Sequence, residues 1–501
     1  MFLTALARTQ STHSRLLESA RSTTFSSLRT RNFRLFATGQ LFSNTGTWVQ
    51  RIAQDWLVLS LTGSATDVGI TTALQFVPTL LFGLVGGLIA DRYPKRRILL
   101  ATQSALAAIA GILAVLTLTH EVTAWQVYLV AFGLGLVTAV DNPTRQSFAN
   151  EMVGPHQLSN AISINSSVFQ LGGLVGPAVS GALITAVGPG YSFAINALSY
   201  AAPLVALSRM RTSELHTRPP VNAQAGQLRD GLHYAVHHPD ILWPTVLAGV
   251  FGMFTSNLPV TLAAYARSVF HSGPGGYGLL SAIVAVGSVT GALISARRSH
   301  TCLRTLIAFG AVLAVIEMLS AAAPGQEIYC VLLLPIGACT LLLLTTTNST
   351  VQTAAPDAIR GRVMGVYLLV FIGSAAFGGP LLGLVDQHLG PRTGMLLAGA
   401  VPAIATALIA AKLAPGGTRL VEEPAILFRE VRLRCLGNQL DESATDRHRH
   451  RCRYSGRADL AMRMPPSGTL RFFTCWRSAS RPAHRPNGTG PCIALSAEPG
   501  R

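Results

Sequence analysis

Apolar residues fill the first four-fifths of the chain in runs of about twenty, separated by polar stretches. Twelve runs can be drawn, at residues 35–61, 68–90, 97–119, 125–148, 158–187, 191–207, 241–266, 277–296, 303–322, 328–350, 363–385 and 394–413. A hydrocarbon core about 30 Å thick is crossed by roughly twenty helical residues, so each run is long enough to span it. A barrel would instead show alternating segments of about ten residues. Backbone polar groups in lipid must be satisfied within the element, so the pattern predicts twelve helices.

A longer polar stretch at 208–240, with Arg209, Arg211, Glu214, Arg218 and Arg229, divides the runs into six plus six. The expected organisation is an arm at 1–34, a six-helix bundle at 35–207, a central loop at 208–240, a second bundle at 241–413 and a tail at 414–501. Charge tests that count independently. Arg92, Lys95, Arg96, Arg97, Arg145, Arg209, Arg211, Arg218, Arg229, Arg297, Arg298, Arg304, Arg360 and Arg362 fall in or beside the even-numbered connections. The odd ones carry only Arg267 and Arg392. By the positive-inside rule, both termini are expected in the cytoplasm, with the basic loops facing the inner leaflet and its lipids.

The halves resemble each other, as duplicated units do. Asn142-Pro-Thr-Arg-Gln146 at the end of run four aligns with Asn348-Ser-Thr-Val-Gln352 at the end of run ten. Gly176-Pro177 then aligns with Gly379-Pro380, and Gly188-Pro189 with Gly390-Pro391. A duplicated six-helix unit places a cavity between the halves near the bilayer midplane, as in secondary transporters.

Composition agrees with a membrane protein: 49% of residues are hydrophobic and 12% charged, against about 25% charged in an ordinary soluble domain. The net charge of +17 would suggest nucleic acid in a soluble protein, but its placement in inner-leaflet loops makes that unnecessary. Only Lys95 and Lys412 are lysines, which points to a GC-rich coding sequence. None of the 7 cysteines is spaced as CxxC, so no zinc or redox pair is implied, and no metal or cofactor is expected. The arm has arginines but no apolar core or A-x-A site, unlike a signal peptide. A membrane-anchored enzyme would need a constellation such as HExxH, GxSxG or a Walker loop, and none is present.

After run two comes Gly87-Leu-Ile-Ala-Asp91-Arg92-Tyr-Pro94-Lys95-Arg96-Arg97. It resembles the loop motif G-x-L-A-D-R-x-G-R-K of the major facilitator superfamily, with Pro94 in place of the glycine. The counterpart after run eight ends in Ala296-Arg297-Arg298, so the acid is lost there. Run five holds Gly172-Gly-Leu-Val-Gly176-Pro177-Ala-Val-Ser180-Gly181, which resembles the superfamily's antiporter motif G-x-x-x-G-P-x-x-G-G. With Asp55-Trp-Leu-Val and Leu158-Ser-Asn-Ala161, these phrases make residues 33–413 resemble bacterial exporters of that superfamily, including enterobactin-type siderophore exporters. The resemblance implies an all-α integral membrane fold of two six-helix pseudo-repeats. It also implies a monomer in the cytoplasmic membrane that exports a small organic molecule, a drug, siderophore or secondary metabolite, by alternating access with proton antiport. Uptake of a nutrient is the alternative transport direction.

The motif after run two suggests a cytoplasmic latch. Gly87, Asp91, Arg92, Lys95 and Arg96 would belong to it, with Asp91 facing the positive N-terminus of run eleven after Pro356-Asp357. Asp141 and Arg145, four apart at the end of run four, are expected to serve as a partner for Asp91 or a cap. The arginine that the superfamily usually carries before the run-four glycines is missing before Gly133.

Run one holds the least expected chemistry, Trp48-Val-Gln50-Arg51-Ile-Ala-Gln54-Asp55-Trp56. Intramembrane charge faces a wet cavity or a partner. Arg51 and Asp55 share a helix face with Gln54, and two readings stay open: mutual neutralisation, or substrate and proton binding in a cavity. The repeat offset puts Asn257 opposite Arg51. Glu317 and Asp386 are expected to snorkel at the outer ends of runs nine and eleven. The tail from residue 414 is rich in Arg, Pro, Ser and Cys, and reads either as a basic disordered segment or as coding sequence out of frame.

Overall fold

The computed structural model describes residues 26–153, 157–215, 227–296, 303–356 and 359–413, all within the contact unit Met1–Val431. The arm before residue 26, Arg218, the Arg297–Arg298 pair, Asp357 and the tail from 414 lie outside them. The described residues form helices and no strand.

Six crossings make the first half: α1 Arg31–Thr62, α2 Ala65–Arg92, α3 Lys95–Leu118, α4 Ala124–Met152, α5 Leu158–Val187, and a sixth broken into α6 Pro189–Ser199 and α7 Ala201–Ser208. A short α8 Gln227–His237 precedes the second half. Its first crossing is α9 Pro239–Phe254 and α10 Leu258–Ala264, followed by α11 Gly273–Ala296, α12 Leu303–Ala321, α13 Gln326–Ala354, α14 Arg360–His388 and α15 Pro391–Leu413. Eleven crossings are apolar enough to be recognised by composition among the described residues. The twelfth is α1, diluted by Gln40, Asn44, Gln50, Arg51, Gln54 and Asp55. It is tolerated because protein surrounds it: those five uncharged or acidic side chains are buried, and it packs on α5, α6 and α7. Elsewhere large apolar side chains face outward, among them Leu198 at 73% and Phe377 at 69% exposure. Water would penalise that surface and lipid does not.

The helices overrun the apolar stretches because interfacial residues extend them. Ser64 caps α2 by accepting from the Asp67 amide at 3.3 Å, and a Thr123–Gln126 capping box starts α4. Two crossings break at prolines, which lack a donor and clash with the preceding turn. Pro203 follows the break at Tyr200. Pro259 follows a single turn, Thr255–Asn257, wound as 3-10 helix. The duplication is visible in the backbone: Gly188 and Gly390 both have φ +89°, and each precedes the proline that opens the last crossing of its half. Only glycine adopts that φ without strain.

The halves meet along two seams, α2 with α14 and α5 with α11. Both seams are tight at the end away from the basic loops, the far end. A Cβ on Gly69 would come within 2.1 Å of the Gly379 carbonyl, and one on Gly181 within 2.8 Å of Gly278 Cα. Towards the basic end the α2–α14 seam opens: Gly83 and Gly87 on α2, and Gly361 and Gly365 on α14, have nothing within 4 Å of an added Cβ.

Candidate cavity and the seams that gate it

A cavity of about 300 Å³ lies mainly within the first half, among α1, α2, α3, α4 and α6. A second, of about 630 Å³, lies between the halves, walled by Asn165, Ser166 and Gln170 of α5 and by Ala292, Ser295 and Ala296 of α11. The two share Asn44, Asn142, Arg145 and Phe169. The α5–α11 seam that closes at Gly181 and Gly278 is therefore open at its basic end.

Arg51 and Gln54 line the first cavity. The Arg51 guanidinium lies 5.5 Å from the Trp48 ring centre and 5.4 Å from that of Phe76. It forms no ion pair with Asp55. Direct pairing of the two is therefore not found, and Arg51 acts on the carboxyl only across one helical turn. The Asp55 carboxyl turns to the other half and accepts from the Tyr277 hydroxyl of α11 at 2.9 Å, while Trp56 stacks on the Tyr277 ring. A carboxyl buried to 3% exposure takes the donor that is within reach. Three further contacts reinforce the far end. The Arg267 guanidinium donates to the Leu59 carbonyl at the end of α1. The Ala65 amide donates to Gln387 Oε1 at 2.9 Å. Gly383 sits against Ala65.

Asp141 and Arg145 do not meet Asp91. Asp141 is buried inside the first half, paired with Arg145 at 3.1 Å, and it accepts from Thr102 at 2.7 Å and Gln103 at 2.9 Å on α3. Arg145 reaches Gln40 and Asn44 on α1 and Asn142 on its own helix. A buried charge pair needs such donors and acceptors, so the network ties α1, α3 and α4 together beneath the cavity.

The loop motif separates into two parts. Lys95 pairs with Glu151 of α4 at 2.7 Å, and Arg96 donates to the last carbonyls of α7, Leu207 at 2.7 Å and Ser208 at 3.2 Å. A cation on a helix C-terminus is the favourable polarity. Asp91 and Arg92 are exposed, with no hydrogen bond or ion pair among the described residues. The N-terminal turn of α14, where Asp91 was expected, is held by α8: Asp230 pairs with Arg362 at 3.0 Å, and Gly231 packs on the Arg362 backbone.

In the glycine motif, Gly172 and Gly176 seat α5 on Asn44 and Trp48 of α1, whereas Gly181 faces α11, where the Pro177 carbonyl also touches Gly278. The Ser180 hydroxyl, in place of a motif glycine, donates to the Val49 carbonyl at 2.8 Å. Asn257 is not among the residues lining either cavity. It lies at the break between α9 and α10 and donates to Met253 and Ala375 carbonyls at 2.9 and 3.0 Å, because a chain interrupted before Pro259 needs side-chain partners. Glu317 and Asp386 do not snorkel: they are 0% and 4% exposed, and Glu317 accepts from Thr255 of the same break at 3.2 Å.

Tyr277, Glu151 and Asp230 carry cross-element contacts that no local motif announces. A signal was present only for Tyr277, a polar aromatic at the start of an apolar run.

Two six-helix repeats around a cavity, closed at one end by glycine-packed seams, are the architecture of the major facilitator fold. Residues 22–427 match the family described as transmembrane secretion effector. The chain belongs to that family and is a transporter, not an enzyme. It is 30% identical over 156 residues to the staphyloferrin A transporter of Staphylococcus aureus, a match spanning 31% of this chain and 39% of that one. Over 360 residues it is 26% identical to the multidrug efflux pump Tap of Mycolicibacterium fortuitum, covering 69% of this chain and 85% of that one. Among solved structures it is similar to a bacterial homolog of the human lysosomal transporter Spinster in an inward-facing, unoccupied conformation. There the TM-score is 0.61 at 13% identity, over 77% of this chain and 98% of that one. The nucleoside transporter NupG gives a TM-score of 0.59 at 13% identity, over 77% and 99%.

Proposed function

We propose that this chain exports a small organic molecule across the cytoplasmic membrane by alternating access, driven by proton antiport. One observation carries the reading: the α2–α14 and α5–α11 seams touch at the far end and part at the basic end, leaving a cavity between the halves. By the positive-inside rule the basic end is cytoplasmic, so the conformation is the one that would load substrate from inside. Relatives named as efflux pumps favour export over uptake.

Asp55 is the proton-coupling candidate. Its bond to Tyr277 exists while the far end is shut, and parting the halves there would expose the carboxyl to external water. Arg51, one turn away, offsets part of the cost of burying the Asp55 charge. Once the halves part at the far end and the substrate has left to the outside, Asp55 can take up a proton. The neutral acid can then be buried again as the transporter returns empty, and the proton leaves on the basic side, where vacant Arg51 favours the ionised form. No cofactor or nucleic acid enters this cycle, and a monomer in lipid suffices.

Proteoliposomes of fixed orientation, loaded with fluorescein as a probe and given a proton gradient, test the reading. Gradient-driven transport away from the basic side is expected, and Asp55→Asn should abolish it while sparing downhill exchange. Counterflow only towards the basic side would identify an importer. Gradient-driven transport retained in Asp55→Asn would remove Asp55 from coupling.

A further inference from the structure

One cation of the first cavity makes no direct contact with an acid. Its charged lining residues are Arg51, Asp141 and Arg145. Asp141 and Arg145 are paired with each other, and the Asp141 carboxylate is further occupied by Thr102 and Gln103. Asp55, the other acid near Arg51, is bound to Tyr277. Arg51 forms no hydrogen bond or ion pair with any described residue and lies between the Trp48 and Phe76 rings.

Beside it on the same helix, Gln54 is 0% exposed, and neither its Nε2 nor its Oε1 has a partner. A buried amide without partners is costly, and such a group in a native structure calls for an explanation. The amide lines the same cavity as Arg51. Gln50, one residue before Arg51, accepts from Asn196 at 2.6 Å through its Oε1, which leaves its amide donors for the cavity.

We propose that Arg51 and Gln54 form an oxyanion site that binds a carboxylate, or a comparable anionic group, of the transported molecule. This deepens the exporter reading and rests on it. Arginine presents a planar fork of donors suited to a carboxylate. Held between two aromatic faces, its guanidinium can keep the plane in which both acceptor oxygens are met. The Gln54 Nε2 adds a neutral donor, while its Oε1 can accept from a hydroxyl or amide next to the anionic group. The transported class is therefore an anionic, hydrogen-bonding small molecule, not a lipophilic cation.

Fluorescein and rhodamine 123 share a xanthene skeleton and carry opposite charge, so they serve as paired probes. Binding is measured by dye anisotropy with the full chain in phosphatidylcholine nanodiscs, and transport in proteoliposomes. Fluorescein should bind at least tenfold more tightly than rhodamine 123. Arg51→Gln should weaken fluorescein roughly ten- to hundredfold, the range for a hydrogen bond to a charged group, and should not weaken rhodamine 123. Arg51→Lys should recover part of the loss. Gln54→Glu, which adds a negative charge without removing Arg51, should weaken fluorescein and strengthen rhodamine 123.

Equal binding of the two dyes by the natural chain, or fluorescein binding untouched by both Arg51→Gln and Gln54→Glu, overturns the site. Fluorescein affinity lost on changing to phosphatidylglycerol nanodiscs would assign the site to a lipid headgroup and overturn its role in transport. Rhodamine 123 transport without fluorescein binding would overturn the site and keep the exporter reading. Arg51-dependent fluorescein binding without transport of either dye would keep the site and overturn the exporter.

Discussion

Asp55 lies one helical turn from Arg51, yet its hydrogen bond goes to Tyr277, more than two hundred positions along the chain. That choice gives a prediction at the scale of one atom. Tyr277→Phe removes the donor and keeps the ring that stacks on Trp56. A hydrogen bond to an ionised carboxyl contributes about 1.5–3 kcal/mol, so the far-end-open population should rise roughly ten- to hundredfold. Spectroscopic distances between labels at the far ends of α1 and α11 read this directly, and an unchanged distribution would show that the bond does not help hold the far end shut. The acids also separate by burial. Asp141→Ala strands the Arg145 charge and should cost about 3–5 kcal/mol, whereas Asp91→Ala at an exposed position should fall within about 0.5 kcal/mol. The ranking of apparent unfolding temperatures in one detergent checks it. Asp141, its partner Arg145 and Asp91 were legible as residues with chemistry. Which acid is a buried hub and which is exposed was not, because an i,i+4 spacing does not say what a third helix brings.

At the scale of elements, glycine positions decide where helices can touch. Gly69 has no room for a side chain against Gly379, while Gly87, on the same helix, has open space. Gly69→Ala should therefore push the far ends of α2 and α14 apart and favour the outward-open form. Gly87→Ala should leave the far-end distance unchanged and, in this conformation, gain helix propensity of about 1 kcal/mol relative to glycine. Label pairs on the two ends of α2 and α14 distinguish the outcomes, and a shift of the same sign in both variants would contradict the assignment of the closed end. The runs predicted the crossings to within a few residues because each element must bury its own backbone polar groups. The breaks at Tyr200 and before Pro259 were not legible from proline alone, because Pro78, Pro143, Pro335 and Pro402 lie within continuous helices. Nor was the bond from Asn257 to the Ala375 carbonyl, which ties the interrupted seventh crossing to α14.

At the scale of the whole molecule, the basic connections should be cytoplasmic. In a cysteine-free background, a cysteine at position 94 should react with an impermeant reagent only from the inside, and one at position 64 only from the outside; labelling of position 94 from outside would invalidate the orientation. The sequence by itself determined the membrane environment, the twelve crossings and the repeat, because apolar length, charge placement and glycine–proline spacing act locally and survive without knowledge of neighbours. Only the tertiary structure decided that the far end is closed, that Asp55 bonds across the halves, that α8 holds the start of α14, and that Arg51 and Gln54 face a cavity without partners. Those facts depend on which helices lie side by side and at which end they part, and a linear pattern carries no information on the distance between residues that meet only when the two halves pack.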